Sequence, residues 1–264
     1  MVASPAVADP TLTGLSLFLR THLRAGMSVL DIGANVGGVT SIAADCVGPS
    51  GRVIAYEPTP VLVAELKARF RNHPNVEIRH AAVTDETGFA PFTVYADRST
   101  ASSLFPTAFV ESGRRVIVPV RSLDVESTSL PPIDFIKVDA QGAEGRIFAA
   151  ARRLLKRDKP LLVFELWQHG LRAAGSDAAT LLDSLAGLGY HFHPLNAKGA
   201  AGSDEKIHAF LDGKTRAQAI NVVGHPRRWP GHRWRQIVTP ARCVARRSCD
   251  PWVTVVDVTA VLST

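Results

Sequence analysis

Val29-Leu-Asp-Ile-Gly-Ala-Asn-Val-Gly-Gly38 runs from an apolar segment into three glycines within six residues. Its first half, residues 28–32, reads as a buried strand, and residues 39–47 carry the apolar spacing of a helix. Between them, glycine lets the chain reverse sharply and lets backbone approach a ligand closely. A strand, a Gly-rich turn and a helix in this order place free N–H groups at the carboxyl end of a strand. In open α/β sheets that is where nucleotide ligands bind.

Outward from this turn, short apolar runs alternate with helical patterns, the signature of βαβ units. Helices are predicted over residues 12–23, 60–72, 143–155 and 178–188. Strands are predicted over 52–57, 75–83, 134–139, 161–167 and 189–195, with 220–224 closing the sheet. The irregular stretch 88–120 holds two further strands, 90–95 and 115–120. The expected fold is α/β and Rossmann-like, a mostly parallel seven-stranded sheet with helices on both faces.

Composition agrees with one globular domain: 264 residues, 46% hydrophobic and 20% charged, which excludes a disordered or fibrous chain. No apolar run approaches the roughly 18 residues of a membrane span. Nothing at the N-terminus reads as a secretory signal, so a cytoplasmic protein is expected. The three cysteines lack CxxC spacing, which suggests neither a disulfide framework nor a zinc site. The net charge of +6 is unevenly placed, because residues 225–264 hold seven Arg and two Asp. They also hold three of the four Trp. This divides the chain into a domain, 1–224, and an Arg/Trp-rich extension, 225–264. Arg interleaved with Trp suits phosphate pairing and base stacking, which keeps a nucleic-acid substrate for the basic extension as one alternative. An out-of-frame extension in a GC-rich gene would have the same composition, and the nearly neutral domain argues against a nucleic-acid partner.

The turn also indicates which nucleotide it suits. A dinucleotide fingerprint GxGxxG from Gly33 requires glycine at 35, and the residue is Asn35. Asp31 ends the strand, where a carboxylate repels a pyrophosphate but favours a ligand carrying an ammonium and a sulfonium. This combination points to S-adenosylmethionine. Twenty residues beyond Gly37, the next strand ends in Tyr56-Glu57-Pro58, and an acid there can accept both ribose hydroxyls.

With VLDIGANVG (29–37), RVIAYEP (52–58), HAAVTDETG (80–88), VRSLDV (120–125), DFIKVDAQGAE (134–144) and PLLVFEL (160–166), the chain resembles the FkbM-type methyltransferases. The likeness covers roughly residues 12–224 and implies the class I S-adenosylmethionine-dependent fold. It further implies that Asp31, Gly33, Ala34, Asn35, Gly37 and Glu57 hold the cofactor and that the stretch from Ala82 to Asp85 lies along its adenine. The family usually reads D-V-E-G-A-E where this chain has Asp139-Ala-Gln141-Gly-Ala-Glu144. This departure removes one carboxylate beside the expected site and keeps open a cofactor-binding protein without turnover.

Methyl transfer to a hydroxyl needs an acceptor held in line and a group to remove its proton. Asp139 is the first choice for that carboxylate, with Glu165 and His169 as the alternative bases. Strand-end capping and ion pairing are the competing explanation for all three. Lys137, inside a strand, is expected to reach a carboxylate and to be structural. His191 and His193 share one side of a strand without a third ligand in view, so no metal is expected. The small, polar segment 97–115 is the expected wall of an acceptor pocket, suited to a hydroxylated small molecule or sugar. No membrane partner is expected.

Overall fold

The computed structural model describes residues 10–95, 102–105, 113–196, 198–199, 207, 210–211 and 219–226, with side chains from residue 14 onward. By proximity the chain divides into Met1–His232 and Arg233–Thr264, and the second part lies wholly outside the described residues. The expectations placed on residues 227–264, and most of those on 97–115, therefore fall outside the description.

The main sheet grows from β1 (Ser28–Ile32), with Val29, Leu30, Asp31 and Ile32 all buried. Parallel partners flank it: β2 (Arg52–Glu57) on one side and β7 (Phe135–Val138) on the other. Beyond β2 lies β3 (Val76–His80), and beyond β7 lies β8 (Leu161–Leu166), both also parallel. The far edge departs from a simple succession. The last strand, β10 (Ile220–Pro226), inserts antiparallel between β8 and β9 (Tyr190–Pro194), giving the order β3-β2-β1-β7-β8-β10-β9. The expected closing strand thus lies inside the sheet.

Both faces of the sheet are covered. On β2, Ile54 and Tyr56 join a large cluster with Ile147 and Leu154, from α5 (Glu144–Ala149) and α6 (Arg152–Asp158), and with Leu181 from α8 (Ala178–Ala186). The intervening Ala55 packs instead with Leu66 of α3 (Pro60–Arg69). This alternation is what period-2 side chains on a buried strand require. Helices α1 (Pro10–His22) and α2 (Gly38–Val47) lie beside one another, and α2 also lies against β1 and β2.

Three elements differ from the sequence reading for identifiable reasons. The strand predicted over 75–83 breaks at Ala81, whose N–H donates to Arg79 O at 3.0 Å and turns the chain. Its second half, β4 (Ala82–Val83), joins a separate sheet with β6 (Arg114–Arg121) and β5 (Gly88–Val94) in the order β4-β6-β5. The helix predicted over 143–155 is two helices, because the Ala150 carbonyl is taken by the Asp124 N–H at 2.7 Å rather than by the next helical turn. Two short helices, α4 (Leu123–Glu126) and α7 (Gln168–Ala173), had no clear periodic signal.

Candidate active site

The sheet places the site at its switch point. From β1 the neighbours diverge, β2 to one side and β7 to the other, which leaves a crevice beyond the strands' carboxyl ends. The Gly-rich turn forms one bank. Gly33 (φ +80°) and Gly37 (φ +82°) adopt left-handed conformations. A Cβ on Gly33 would stand 2.0 Å from the Asp139 carbonyl oxygen, so only glycine lets this turn lie against the loop after β7. The N–H groups of Gly33 and Ala34 both donate to Tyr56 O at 3.0 Å, tying the turn to β2.

Two carboxylates secure the turn from opposite sides. Glu57 accepts from the N–H of Asn35 and of Thr59, each at 2.8 Å, and burial nonetheless pushes its pKa up. Asp31 lies beneath the turn, fully buried, and not in the cleft wall. It accepts from Thr40 Oγ1 of α2 at 2.6 Å, and Lys137 Nζ stands 3.6 Å from its other oxygen. The same ammonium donates to Gly33 O at 3.0 Å and lies 3.7 Å from Asp139. Burial disfavours the Lys137 charge, but Asp139 and Asp31 outweigh it and hold its pKa above the ordinary value.

The cleft spans about 610 Å³ with its solvent-open mouth included. Gly33, Asn35 and Glu57 line one side, Ala81, Ala82, Val83 and Phe92 form an apolar wall, and Asp139, Ala140 and Gln141 form the far end. Ser102 and Leu104 close over it from beside the small sheet. Ser103 fixes that segment, donating from Oγ to Gln141 O at 3.0 Å. The Asn35 side-chain oxygen is buried in this wall with no hydrogen-bond partner in the structure.

At the far end the Gln141 amide nitrogen donates to Asp139 Oδ1 at 2.8 Å and to Glu165 Oε2 at 3.2 Å. Asp139 keeps 42% of its side chain exposed, facing the cleft. Glu165 does not line the cleft; burial, then Asp139 and Glu144, push its carboxyl up to about 8. The remaining predicted residues are elsewhere. Ala34 is packed behind the turn beside Leu66, and Gly37 caps α2 against the same side chain. Asp85 is exposed and paired with Arg146 at 3.2 Å; Thr84 and Arg146 outweigh its desolvation and hold its pKa below the ordinary value. His169 is exposed on α7 and its ring tilts against Trp167.

Several groups in the site were not anticipated as such. From the sequence Gln141 is only the absence of a carboxylate, and its positive φ of 52° has no local signal. Phe92, Ser102 and Leu104 come from segments whose approach to the cleft depends on the small sheet. His225 joins His191 and His193, its ring 5.3 Å from that of His193 and nearly parallel to it, which does not converge the nitrogens on a point. Among the described residues no group of three or more His, Cys, Asp or Glu side chains is arranged to hold a metal ion.

A mostly parallel sheet with β10 inserted antiparallel, and a cleft at the β1/β7 switch point, make this a class I methyltransferase fold. The family model described as "Methyltransferase FkbM domain" matches residues 31–192, and the chain belongs to that family. Among solved structures, the FkbM methyltransferase of Methylobacillus flagellatus KT superposes with a TM-score of 0.50 at 16% identity, covering 78% of this chain and 45% of that one. At that identity the likeness is one of fold. Protein-L-isoaspartate O-methyltransferase of Caenorhabditis elegans is 30% identical over 117 residues, 40% of this chain and 52% of its own length. Protein-L-isoaspartate O-methyltransferase 1 of Arabidopsis thaliana is 29% identical over 117 residues, again 40% of this chain and 50% of its own length. The chain thus spans about half the length of these curated relatives. Among the described residues no helix is long and apolar enough to cross a membrane.

Proposed function

We propose that this protein binds S-adenosylmethionine in the cleft and transfers its methyl group to an oxygen of a small molecule or sugar, in the cytoplasm. The observation that carries the reading is the chemistry of the cleft from end to end. Glu57 and the unpartnered Asn35 oxygen offer acceptors for ribose hydroxyls, the wall from Ala81 to Val83 with Phe92 suits an adenine, and Asp139 supplies negative charge where an ammonium and a sulfonium would lie. A pyrophosphate would meet two carboxylates there, which disfavours a dinucleotide. Bound in this cleft, the cofactor supplies an electrophilic methyl; the protein's part is positioning and proton removal. Asp139 is the group for both, since it faces the cleft while Gln141 and Lys137 fix its direction. An oxygen acceptor is also what the names of the two curated relatives specify for those proteins.

Thermal shift separates this reading from its competitors. S-adenosylmethionine and S-adenosylhomocysteine, each at a hundred times Kd, are expected to raise Tm by about 5 °C, and NAD is expected to leave it unchanged. Stabilisation by NAD alone overturns the reading. Asp139→Asn is expected to weaken S-adenosylhomocysteine binding about tenfold, through the ammonium it shares with S-adenosylmethionine, and at saturating S-adenosylmethionine to lose about 100-fold or more in methylation rate across a panel of hydroxylated acceptors. Unchanged turnover would remove Asp139 from the chemistry.

A further inference from the structure

The Asp139 end of the cleft holds more acid than its surroundings can keep ionised. Asp31 from β1, Asp139 after β7 and Glu165 from β8 gather around the Lys137 ammonium, and Glu144 from α5 adjoins Asp139 and Glu165. Lys137 lies closer to Asp31 and Asp139, at 3.6 and 3.7 Å. Glu144 is fully buried; Oε1 takes the Ala140 N–H at 2.8 Å and Oε2 has no partner. Glu165 faces Asp139, Glu144 and Lys137 from neighbouring elements, receives one hydrogen bond from Gln141, and has uncharged Asn221 opposite it on β10. The family's usual glutamate at 141 would put a further carboxylate at the centre. In this chain an amide is there instead, donating to the carboxyls on either side.

We propose that Glu165, positioned by Gln141, senses the charge on the ligand's sulfur: it gives up its proton when a sulfonium lies beside Asp139 and keeps more of it when a neutral thioether takes that place. The site thereby tells the sulfonium of S-adenosylmethionine from the neutral thioether of S-adenosylhomocysteine. The inference rests on the cofactor reading above. Its physical basis is the geometry of the acid cluster: Glu165 is largely buried beside Asp139 and Glu144 with one hydrogen bond, from Gln141, to support its charge, a setting that pushes its carboxyl up to about 8. A unit positive charge about 7 Å away, at an effective dielectric near 20, lowers a carboxyl's proton affinity about fiftyfold. Glu165 and Gln141 do not need to touch the ligand to act in this way.

Titration calorimetry on the full chain at pH 7.5, in phosphate and in Tris, counts the protons released. Wild type is expected to release about 0.7 proton more with S-adenosylmethionine than the Glu165→Gln variant does, and a clearly smaller excess with S-adenosylhomocysteine, which brings the same ammonium but no sulfonium; an equal excess with both ligands overturns the proposal. Each ligand's own amino group titrates alike against either protein and cancels in the comparison. Gln141→Glu is expected to raise the preference for S-adenosylmethionine over S-adenosylhomocysteine about tenfold. If Glu165→Gln does not fold, wild type alone suffices. Its preference for S-adenosylmethionine is expected to rise about tenfold from pH 6.5 to 9, and a flat ratio overturns the proposal. Equal proton counts in wild type and Glu165→Gln also overturn it while leaving the cofactor reading intact. Failure of both ligands to bind would overturn the two together.

Discussion

At Gly33 a single hydrogen stands where any other residue has a side chain. The predicted Cβ contact of 2.0 Å is with backbone, the Asp139 carbonyl, which no rotamer change relieves, and the φ of +80° adds its own strain. Gly33→Ala is therefore expected to cost about 3 kcal/mol in urea unfolding and to weaken S-adenosylhomocysteine binding by displacing Asp139. Lys137 makes the opposite case, a large charged side chain in a strand interior. Its ammonium neutralises fully buried Asp31 and holds the Gly33 carbonyl, so Lys137→Met leaves a carboxylate with only Thr40 for company. The expected loss is about 3 kcal/mol, and Asp31→Asn in the same chain should recover part of it; additive losses in the double mutant would show that the two do not form a unit. The demand for a carboxylate near Lys137 is readable from the sequence, since a strand-interior lysine requires one. Which carboxylate answers is not, because Asp31 is 106 residues away along the chain.

At the scale of elements, the strands that line the switch point are legible because each is a short apolar run with turn residues at both ends. What periodicity misses are breaks imposed from a distance. Residues 143–155 have helical spacing throughout, yet Asp124 captures the Ala150 carbonyl from another part of the chain and divides the helix. Gly142 and Gly170 approach closely enough that a Cβ on Gly142 would lie 2.4 Å from the Gly170 carbonyl carbon, and that contact, not local propensity, sets α7 beside the active loop. The position of β10 was equally hidden, since an antiparallel insertion and an edge strand have the same hydrophobic pattern. Its interior position makes a specific demand: Val222 is fully buried with partners on both sides. Val222→Pro removes a ladder donor and is expected to cost about 3 kcal/mol or more, read as a lower urea midpoint; a loss under about 1 kcal/mol would contradict an interior position.

For the molecule as a whole, the acid-rich cleft makes stability depend on pH in an unusual window. Glu57, Glu144 and Glu165 have pKa values raised by folding, so the stability they contribute is complete below the ordinary 4.5 and is lost as pH rises through about 7 and 8. Asp85, Glu77 and Asp177, whose values are lowered, act only on the acid side of that window. The ligand-free protein is expected to lose about 5 °C in Tm between pH 6 and 9, and Glu165→Gln to flatten the slope; a Tm that rises over this interval would contradict the placement of these groups. The cofactor end of the site was the more legible half, because a Gly-rich turn and a strand-end acid are local features, whereas the far end depends on four elements meeting. The insertion of β10 also bears on how the chain matures. In the main sheet β9 pairs only with β10, and 25 residues separate Pro194 from Ile220. At a synthesis rate of roughly 5–20 residues per second, β9 waits about one to five seconds for β10, and β8 about three to eleven, with open edges. During that interval the nascent chain presents unpaired strand edges, and the length of residues 195–219 sets how long β9 stays without its neighbour.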